Sequence, residues 1–117
     1  MAESLLTNLT GMRDLLPDEI ARWHLVEEKA RFIFSCYGFK EIRTPIIEAT
    51  ELFARGIGGD TDIVGKEMYT FQDQSGKSVT LRPEATASVV RAYLQHNMYR
   101  GAGLTKLLQE DPTFRVQ

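Results

Sequence analysis

The sequence contains few of the residues on which metal centres and thiol chemistry depend. Its 117 residues include one cysteine, Cys36, and two histidines, His24 and His96. One cysteine can form neither an internal disulfide nor, by itself, a cysteine-based zinc site, and neither histidine has a second histidine at ligand spacing. We therefore predict no metal centre in the chain and a reducing, cytoplasmic compartment. Cys36 is interpreted as a small core residue.

Long hydrophobic runs are also missing. The longest, residues 32–34, is far below the roughly 20 apolar residues that span a bilayer. The first residues carry neither a basic stretch nor the apolar segment of a secretion signal. A composition that is 43% hydrophobic and 26% charged is globular, and the length suits one compact domain. The sequence predicts a soluble chain that is neither exported nor inserted into a membrane.

Charge is balanced overall but uneven along the chain. The formal net charge is -2, with 9 basic and 13 acidic side chains in residues 1–81, against 5 basic and 3 acidic in residues 82–117. This excess is too small to predict a nucleic-acid interface, which usually shows a clustered basic patch. It is compatible with an anionic ligand near Arg82, Arg91 or Arg115, and equally with arginines scattered over the surface.

Hydrophobic periodicity predicts an α+β fold. Apolar residues recur every three or four positions after Pro17, which predicts a helix that ends at Gly38, and a two-residue alternation over 39–47 predicts a strand. Because Pro45 has no N–H to donate, that strand should lie at a sheet edge, end, or be bulged there. Further elements follow in order: a short helix at 50–55, a loop at 56–62, a hairpin of 68–72 and 78–82, a helix at 84–96, and strands near 106–109 and 113–117.

Polar side chains converge where the second hairpin strand passes into the last helix, in Thr80-Leu81-Arg82-Pro83-Glu84-Ala85-Thr86. A carboxylate such as Glu84 in the first turn of a helix can simply complement the helix dipole. It can also pair with the ammonium group of a ligand, with the Thr86 hydroxyl beside it. The residues alone leave both interpretations open.

Four blocks of sequence together resemble one family. They lie at residues 11–17, 37–45, 61–71 and 81–92, and they occur in the same order at the start of the catalytic domain of histidyl-tRNA synthetases. The resemblance covers about residues 9 to 100. It implies part of a class II synthetase catalytic domain, in which an antiparallel sheet is flanked by helices.

The resemblance also implies a reaction and its residues. In this family ATP, with Mg²⁺, activates histidine as an adenylate, which is then transferred to tRNA(His). Glu84 and Thr86 match the residues that hold the α-amino group of histidine, and Arg115 matches an arginine that contacts the α-phosphate. The first long helix and the strand with Arg43 and Pro45 resemble class II motif 1, which builds the family's homodimer interface.

The resemblance further implies that much of the enzyme lies outside this sequence, including motif 3 and the anticodon-binding domain. We therefore expect the isolated chain to have little aminoacylation activity, and to self-associate through apolar surface and open strand edges. Two other functions stay open: a histidine-sensing regulatory subunit of ATP phosphoribosyltransferase, which shares the fold, and a structural fragment that dimerises.

Overall fold

The structure is a computed structural model that describes residues 5–56, 68–101 and 103–109. The chain divides into two compact units, residues 1–38 and residues 39–117. The expected single domain therefore has an internal division after Gly38. Each unit is described by itself.

The first unit contains one long helix, α1 (Pro17–Cys36). Pro17 occupies the first turn, where its missing N–H is not needed, and Asp18 and Glu19 face the positive end of the helix dipole. Gly38 follows the helix in a left-handed conformation with φ of 81°, and its N–H donates to the carbonyl of Ser35 at 3.0 Å. The predicted start and stop of this helix are confirmed.

An ion pair joins the segment before α1 to its first turn. The Arg13 guanidinium donates to both carboxylate oxygens of Glu19, and this hydrogen bond lowers the pKa of Glu19. Both side chains are solvent-exposed to a large degree, so the pair contributes little to stability.

The apolar side chains of α1 are not packed in a core. None of its residues is buried, and the large exposed ones include Trp23, Leu25, Val26, Phe32, Ile33 and Phe34. Cys36 is exposed as well, so its interpretation as a core residue was wrong. The reason is that the described residues provide no surface that covers this part of the helix.

The described residues of the second unit form five short strands in two sheets. Strand β1 (Lys40–Glu41) pairs in parallel with β5 (Leu107–Leu108). The other sheet is antiparallel, with β4 (Ser78–Leu81) between β2 (Ile47–Ala49) and β3 (Tyr69–Gln72). The predicted α+β class, hairpin and strand near 106–109 are confirmed, whereas the sheet content is mixed rather than antiparallel throughout.

The predicted strand at 39–47 is two strands in the structure. Residues 42–46 separate β1 from β2, and they include Pro45. The two strands also have different partners, since β1 pairs with β5 and β2 pairs with β4. The residues on either side of Pro45 therefore belong to different sheets, which a simple alternation of side chains cannot reveal.

Two helices pack on this framework. Helix α2 (Thr50–Gly56) follows β2 directly, and its Phe53 is 1% exposed. Helix α3 (Thr86–Gln95) starts five residues after β4 and buries Ser88 and Ala92. It ends before Asn97, which has a left-handed φ of 55°, and a 3-10 turn (Met98–Arg100) follows.

Hydroxyl groups link α2 to the antiparallel sheet. Thr80 of β4 is 0% exposed, and its Oγ1 lies 2.9 Å from the hydroxyls of both Thr50 and Thr70. Thr50 in turn lies 2.7 Å from the Ser78 hydroxyl. Because each hydroxyl can donate once and accept twice, the exposed hydroxyls of Thr70 and Ser78 and that of Thr50 form a chain of hydrogen bonds that includes the buried Thr80. β4 is thereby fixed on both sides.

The turn between β3 and β4 is held by one carboxylate. Asp73 Oδ1 accepts from the N–H groups of Ser75 and Lys77, each at 2.9 Å, and from the Ser75 hydroxyl at 2.7 Å. Gly76 supplies the positive φ of 87° that the turn needs. The hydrogen bond from the Ser75 side chain is the largest of several effects that lower the pKa of Asp73 below 3.8.

The turn should therefore loosen in acid. A carboxylate whose folded pKa is lowered stabilises the fold fully above its unfolded pKa, and that contribution is lost as pH falls through the lower folded value. We expect the amide resonances of Ser75 and Lys77 to move together as pH drops below 3.8. In Asp73→Asn this acid transition should be absent from both amides. An unchanged transition would contradict the assignment.

An ion pair attaches α3 to β2. Glu48 Oε1 accepts from Arg91 Nη2 at 2.9 Å and from Arg91 Nε at 3.2 Å. The Glu48 side chain is 8% exposed and that of Arg91 27%. Arg91 Nη1 also donates to Gln95 at 2.6 Å, which orients the guanidinium along the helix. The pair is a contact between a strand and a helix that are far apart in sequence.

Replacing only Arg91 should therefore be costly. Arg91→Met leaves Glu48 buried without its partner, and we expect the free energy of unfolding to fall by about 2 to 3 kcal/mol. The double variant Glu48→Leu/Arg91→Met should recover part of this loss, because no buried charge remains. Urea denaturation of the three chains measures both effects. Equal stability of Arg91→Met and the parent would contradict this account of the pair.

Several predicted features lie outside the described residues. They are the loop at 56–62 beyond Gly56, the last strand at 113–117, and Arg115. Among the helices that are described, none is both long enough and apolar enough to cross a membrane.

Candidate functional site

The residues predicted to carry chemistry lie where β4 passes into α3. β4 ends at Leu81, and α3 begins at Thr86. Between them Arg82 and Pro83 are buried, while Glu84 is half-buried. The polypeptide thus leaves the interior at Arg82 and reaches the surface by Thr86, which is exposed.

Glu84 turns its carboxylate onto the start of α3. Its Oε2 accepts from the N–H of Thr86 at 2.6 Å, and the N–H of Ala87 lies 3.0 Å from Oε1 and 3.2 Å from Oε2. The first N–H groups of a helix have no partner within the helix, so a side-chain acceptor at this point stabilises it. The predicted structural role of Glu84, complementing the helix dipole, is present in the geometry.

Capping does not use all of the carboxylate. Each oxygen can accept about two hydrogen bonds, whereas Oε1 accepts one, from Ala87, among the described residues. Glu84 can therefore hold the helix and still present a negatively charged acceptor to a cationic group.

The structure places the other predicted site residues as follows. Thr86 is exposed, two positions from Glu84, and donates its N–H to that carboxylate. Arg43 and Pro45 are exposed, and Arg43 Nε donates to Glu41 at 3.0 Å. Arg115 lies outside the described residues, so its position relative to Glu84 stays a prediction.

Two arginines considered for an anionic ligand have other contacts. Arg91 is paired with Glu48, as described above. Arg82 is 0% exposed, and its Nη1 donates to the hydroxyl of Thr44 at 3.0 Å and to the Thr44 carbonyl at 3.2 Å. Neither arginine is an isolated surface residue.

Sequence reasoning missed the polar cluster around Thr44. The Thr44 hydroxyl accepts from Arg82 and from Gln109 Nε2, the latter at 2.9 Å. Arg82 and Gln109 lie 38 and 65 positions from Thr44 in the sequence. No local pattern predicts contacts over such separations. The position of Arg82, at the end of a strand and before a proline, was the one feature of the sequence that could have drawn attention to this residue.

No group of three or more histidine, cysteine, aspartate or glutamate side chains that could hold a metal ion occurs in the part of the chain that the structure describes.

Comparison with known proteins identifies the family of the chain. The family model of histidyl-tRNA synthetase matches residues 11–117, which include the whole junction. The chain belongs to the histidyl-tRNA synthetase family. It is 55% identical over 111 residues to the histidine–tRNA ligase of Desulfosudis oleivorans, a match that covers 95% of this chain and 26% of that enzyme.

Solved structures show the same fold. Apo histidyl-tRNA synthetase from S. aureus matches with a TM-score of 0.80 and 39% identity, over 95% of this chain and 26% of that one. An ATP phosphoribosyltransferase regulatory subunit/histidyl-tRNA synthetase from Bacillus halodurans matches with a TM-score of 0.79 and 23% identity, over 99% of this chain and 29% of that one. The chain therefore spans about a quarter of the length of these histidyl-tRNA synthetase relatives, and corresponds to part of the catalytic region.

The cap at Glu84 should be measurable as stability. Glu84→Ala removes both acceptors and should lower the free energy of unfolding by about 1 to 2 kcal/mol. Glu84→Gln keeps an acceptor but loses the charge, and should cost about 0.3 to 1 kcal/mol. Chemical denaturation of the 117-residue chain tests this order. If the alanine variant is as stable as the parent, the carboxylate does not cap α3.

Proposed function

We propose that this chain supplies the amino-group half of the histidine site of a histidine–tRNA ligase. The site is the junction of β4 and α3. Glu84 pairs with the α-ammonium of histidine, and the Thr86 hydroxyl makes a second hydrogen bond to the same group. The imidazole is then recognised by parts of the enzyme outside this chain.

The single observation that carries the proposal is the set of hydrogen bonds made by the Glu84 carboxylate. Its carboxylate is fixed by two backbone N–H groups and keeps acceptor capacity on Oε1 among the described contacts. A fixed, ionised acceptor at the exposed end of a junction suits an ammonium ligand, since a hydrogen bond between charged groups is about twice as strong as a neutral one. Family membership supports histidine as the amino acid.

The role of these residues in the reaction is to position the substrate. Holding the ammonium leaves the carboxylate of histidine free to attack the α-phosphate of ATP. Orienting two reactants in this way can provide much of the rate enhancement of a group transfer. Glu84 and Thr86 are therefore substrate-binding residues, and the chemistry takes place on groups that they orient.

ATP and tRNA(His) are the other substrates under this proposal. Negative charge accumulates at phosphorus, so arginine and Mg²⁺ would stabilise the transition state. Arg115 is the residue of this chain proposed to contact the α-phosphate and to act in catalysis. When bound, Mg²⁺ would neutralise phosphate charge, and its ligands are proposed to lie outside the described residues.

We also propose that the complete enzyme is a homodimer in the cytoplasm, with Arg43 and Pro45 at the interface. Both are exposed, as residues available for an interface must be. The exposed apolar side chains of α1 are a second surface that a partner subunit or the remaining catalytic region could cover. The isolated chain is expected to have little aminoacylation activity, because the site it carries is incomplete.

The alternative is a histidine-sensing regulatory subunit of ATP phosphoribosyltransferase. The Bacillus halodurans structure supports only the shared fold, since its identity to this chain is 23%. The histidine–tRNA ligase of Desulfosudis oleivorans is 55% identical to this chain. Capture of an ATP phosphoribosyltransferase catalytic chain by the complete protein, together with failure to charge tRNA(His), would favour the regulatory function.

The proposal is tested on the complete enzyme by histidine-dependent exchange of pyrophosphate into ATP. Glu84→Gln removes the charge that faces the ammonium, a contact worth about 1.5 to 3 kcal/mol. We expect the KM for histidine to rise by about 10-fold to 100-fold, with the KM for ATP nearly unchanged. Thr86→Val should raise the same constant by a smaller factor.

The matched control is Glu19→Gln, which makes the same chemical change on the exposed first turn of α1. It breaks the ion pair with Arg13 and should leave both KM values unchanged. A histidine KM that is the same in Glu84→Gln and in the parent would refute the assignment of the site. So would equal effects of the two glutamine variants.

A further inference from the structure

We infer that Arg82 is a positioning residue for the histidine site, and that it acts by clamping the segment 44–45 against the end of β4. The inference rests on the proposed function, since it concerns the same junction. Arg82 itself is 0% exposed, so it does not touch substrate in this arrangement. Its effect on the site has to be transmitted through the chain.

The contacts that Arg82 makes among the described residues converge on one short segment. Its Nη1 donates to the Thr44 hydroxyl at 3.0 Å, to the Thr44 carbonyl at 3.2 Å, and at a longer 3.5 Å to the carbonyl of Pro45. Its backbone N–H donates to the Ile46 carbonyl at 2.9 Å. Side chain and main chain of one residue thus hold three consecutive residues of the neighbouring strand region.

This segment needs such a clamp because the regular ladder stops there. Residues 42–46 belong to no strand, and Pro45 has no N–H to donate. Carbonyl groups that are buried without a partner are costly. The Nη1 nitrogen of Arg82 lies within hydrogen-bond distance of two of these carbonyls, those of Thr44 and Pro45.

The link from Arg82 to Glu84 is short and stiff. Two residues span at most about 7 Å of chain. Pro83 between them has a fixed φ, and it also restricts the residue before it to extended conformations. A displacement of Arg82 is therefore passed to Glu84 rather than absorbed between them. The Glu84 carboxylate in turn is tied to the first N–H groups of α3.

Thr44 lies within the segment that also carries Arg43 and Pro45, the residues proposed for the dimer interface. The same clamp therefore joins that segment to the proposed substrate site. Gln109 extends the cluster, because its Nε2 donates to the Thr44 hydroxyl at 2.9 Å.

The experiment uses the complete ligase and the variant Arg82→Lys, which keeps the charge but has a shorter side chain and lacks the Nη1 donor that contacts residues 44 and 45. We expect the histidine KM to rise by about 10-fold, since small displacements in a binding site cause losses of this order or more. The KM for ATP should change by less than about 2-fold, because ATP is held elsewhere. Thr44→Val, which removes one acceptor of the clamp, should shift the histidine KM in the same direction by a smaller factor.

The control is Arg91→Lys, which makes the same substitution in the ion pair between α3 and β2. It should lower the melting temperature without raising the histidine KM, so a general loss of stability can be told apart from loss of positioning. If Arg82→Lys does not fold, Thr44→Val decides alone.

Two results overturn the inference. In the first, the parent enzyme activates histidine but Arg82→Lys leaves the histidine KM unchanged; where Arg82→Lys does not fold, the same result with Thr44→Val counts instead. The proposed function is then retained, and the positioning role of Arg82 is refuted. In the second, Arg82→Lys and Arg91→Lys raise the histidine KM equally, which would assign the effect to stability. A parent enzyme that does not activate histidine refutes the proposed function, and the inference with it.

Discussion

The position of β4 is the constraint on which the second unit depends. This strand is the only one in the described sheets with a neighbour on each side, β2 and β3. Its Thr80 is buried among hydroxyl groups from α2 and β3, and the chain leaves it through the buried Arg82. Both edges of β4 are paired, and its Thr80 contacts α2. The start of α3, and with it Glu84, follows from where β4 ends.

In the proposed function, the carboxylate of Glu84 has both a structural and a functional role. The helix N–H groups orient its oxygens, and the helix dipole favours their charge. The cap thereby fixes an acceptor whose remaining capacity suits an ammonium group. The conformational entropy of the Glu84 side chain is lost when the protein folds, so its loss does not weaken ligand binding. The two interpretations that the sequence left open are therefore compatible.

Local patterns predicted the elements well and their partners poorly. Proline and glycine marked the ends of α1, and turn residues marked the hairpin, because both act on the backbone of their own segment. The division of 39–47 between two sheets could not be predicted, since it depends on β5, some 65 residues later. The burial of Arg82 and the ion pair of Glu48 with Arg91 were not predicted either, because they also depend on residues far apart in the sequence. The resemblance of four blocks identified Glu84 and Thr86, whose chemistry no single block would have distinguished from helix capping.

The central claim is that Glu84 recognises the α-ammonium of histidine. The most direct test compares the affinity of the complete enzyme for histidine and for its des-amino analogue, imidazolepropionate, in the parent and in Glu84→Gln. The parent should bind histidine more tightly, and Glu84→Gln should lose most of that preference while its affinity for imidazolepropionate changes little. A preference for histidine that survives the substitution in full would show that another group holds the ammonium, and would contradict this account.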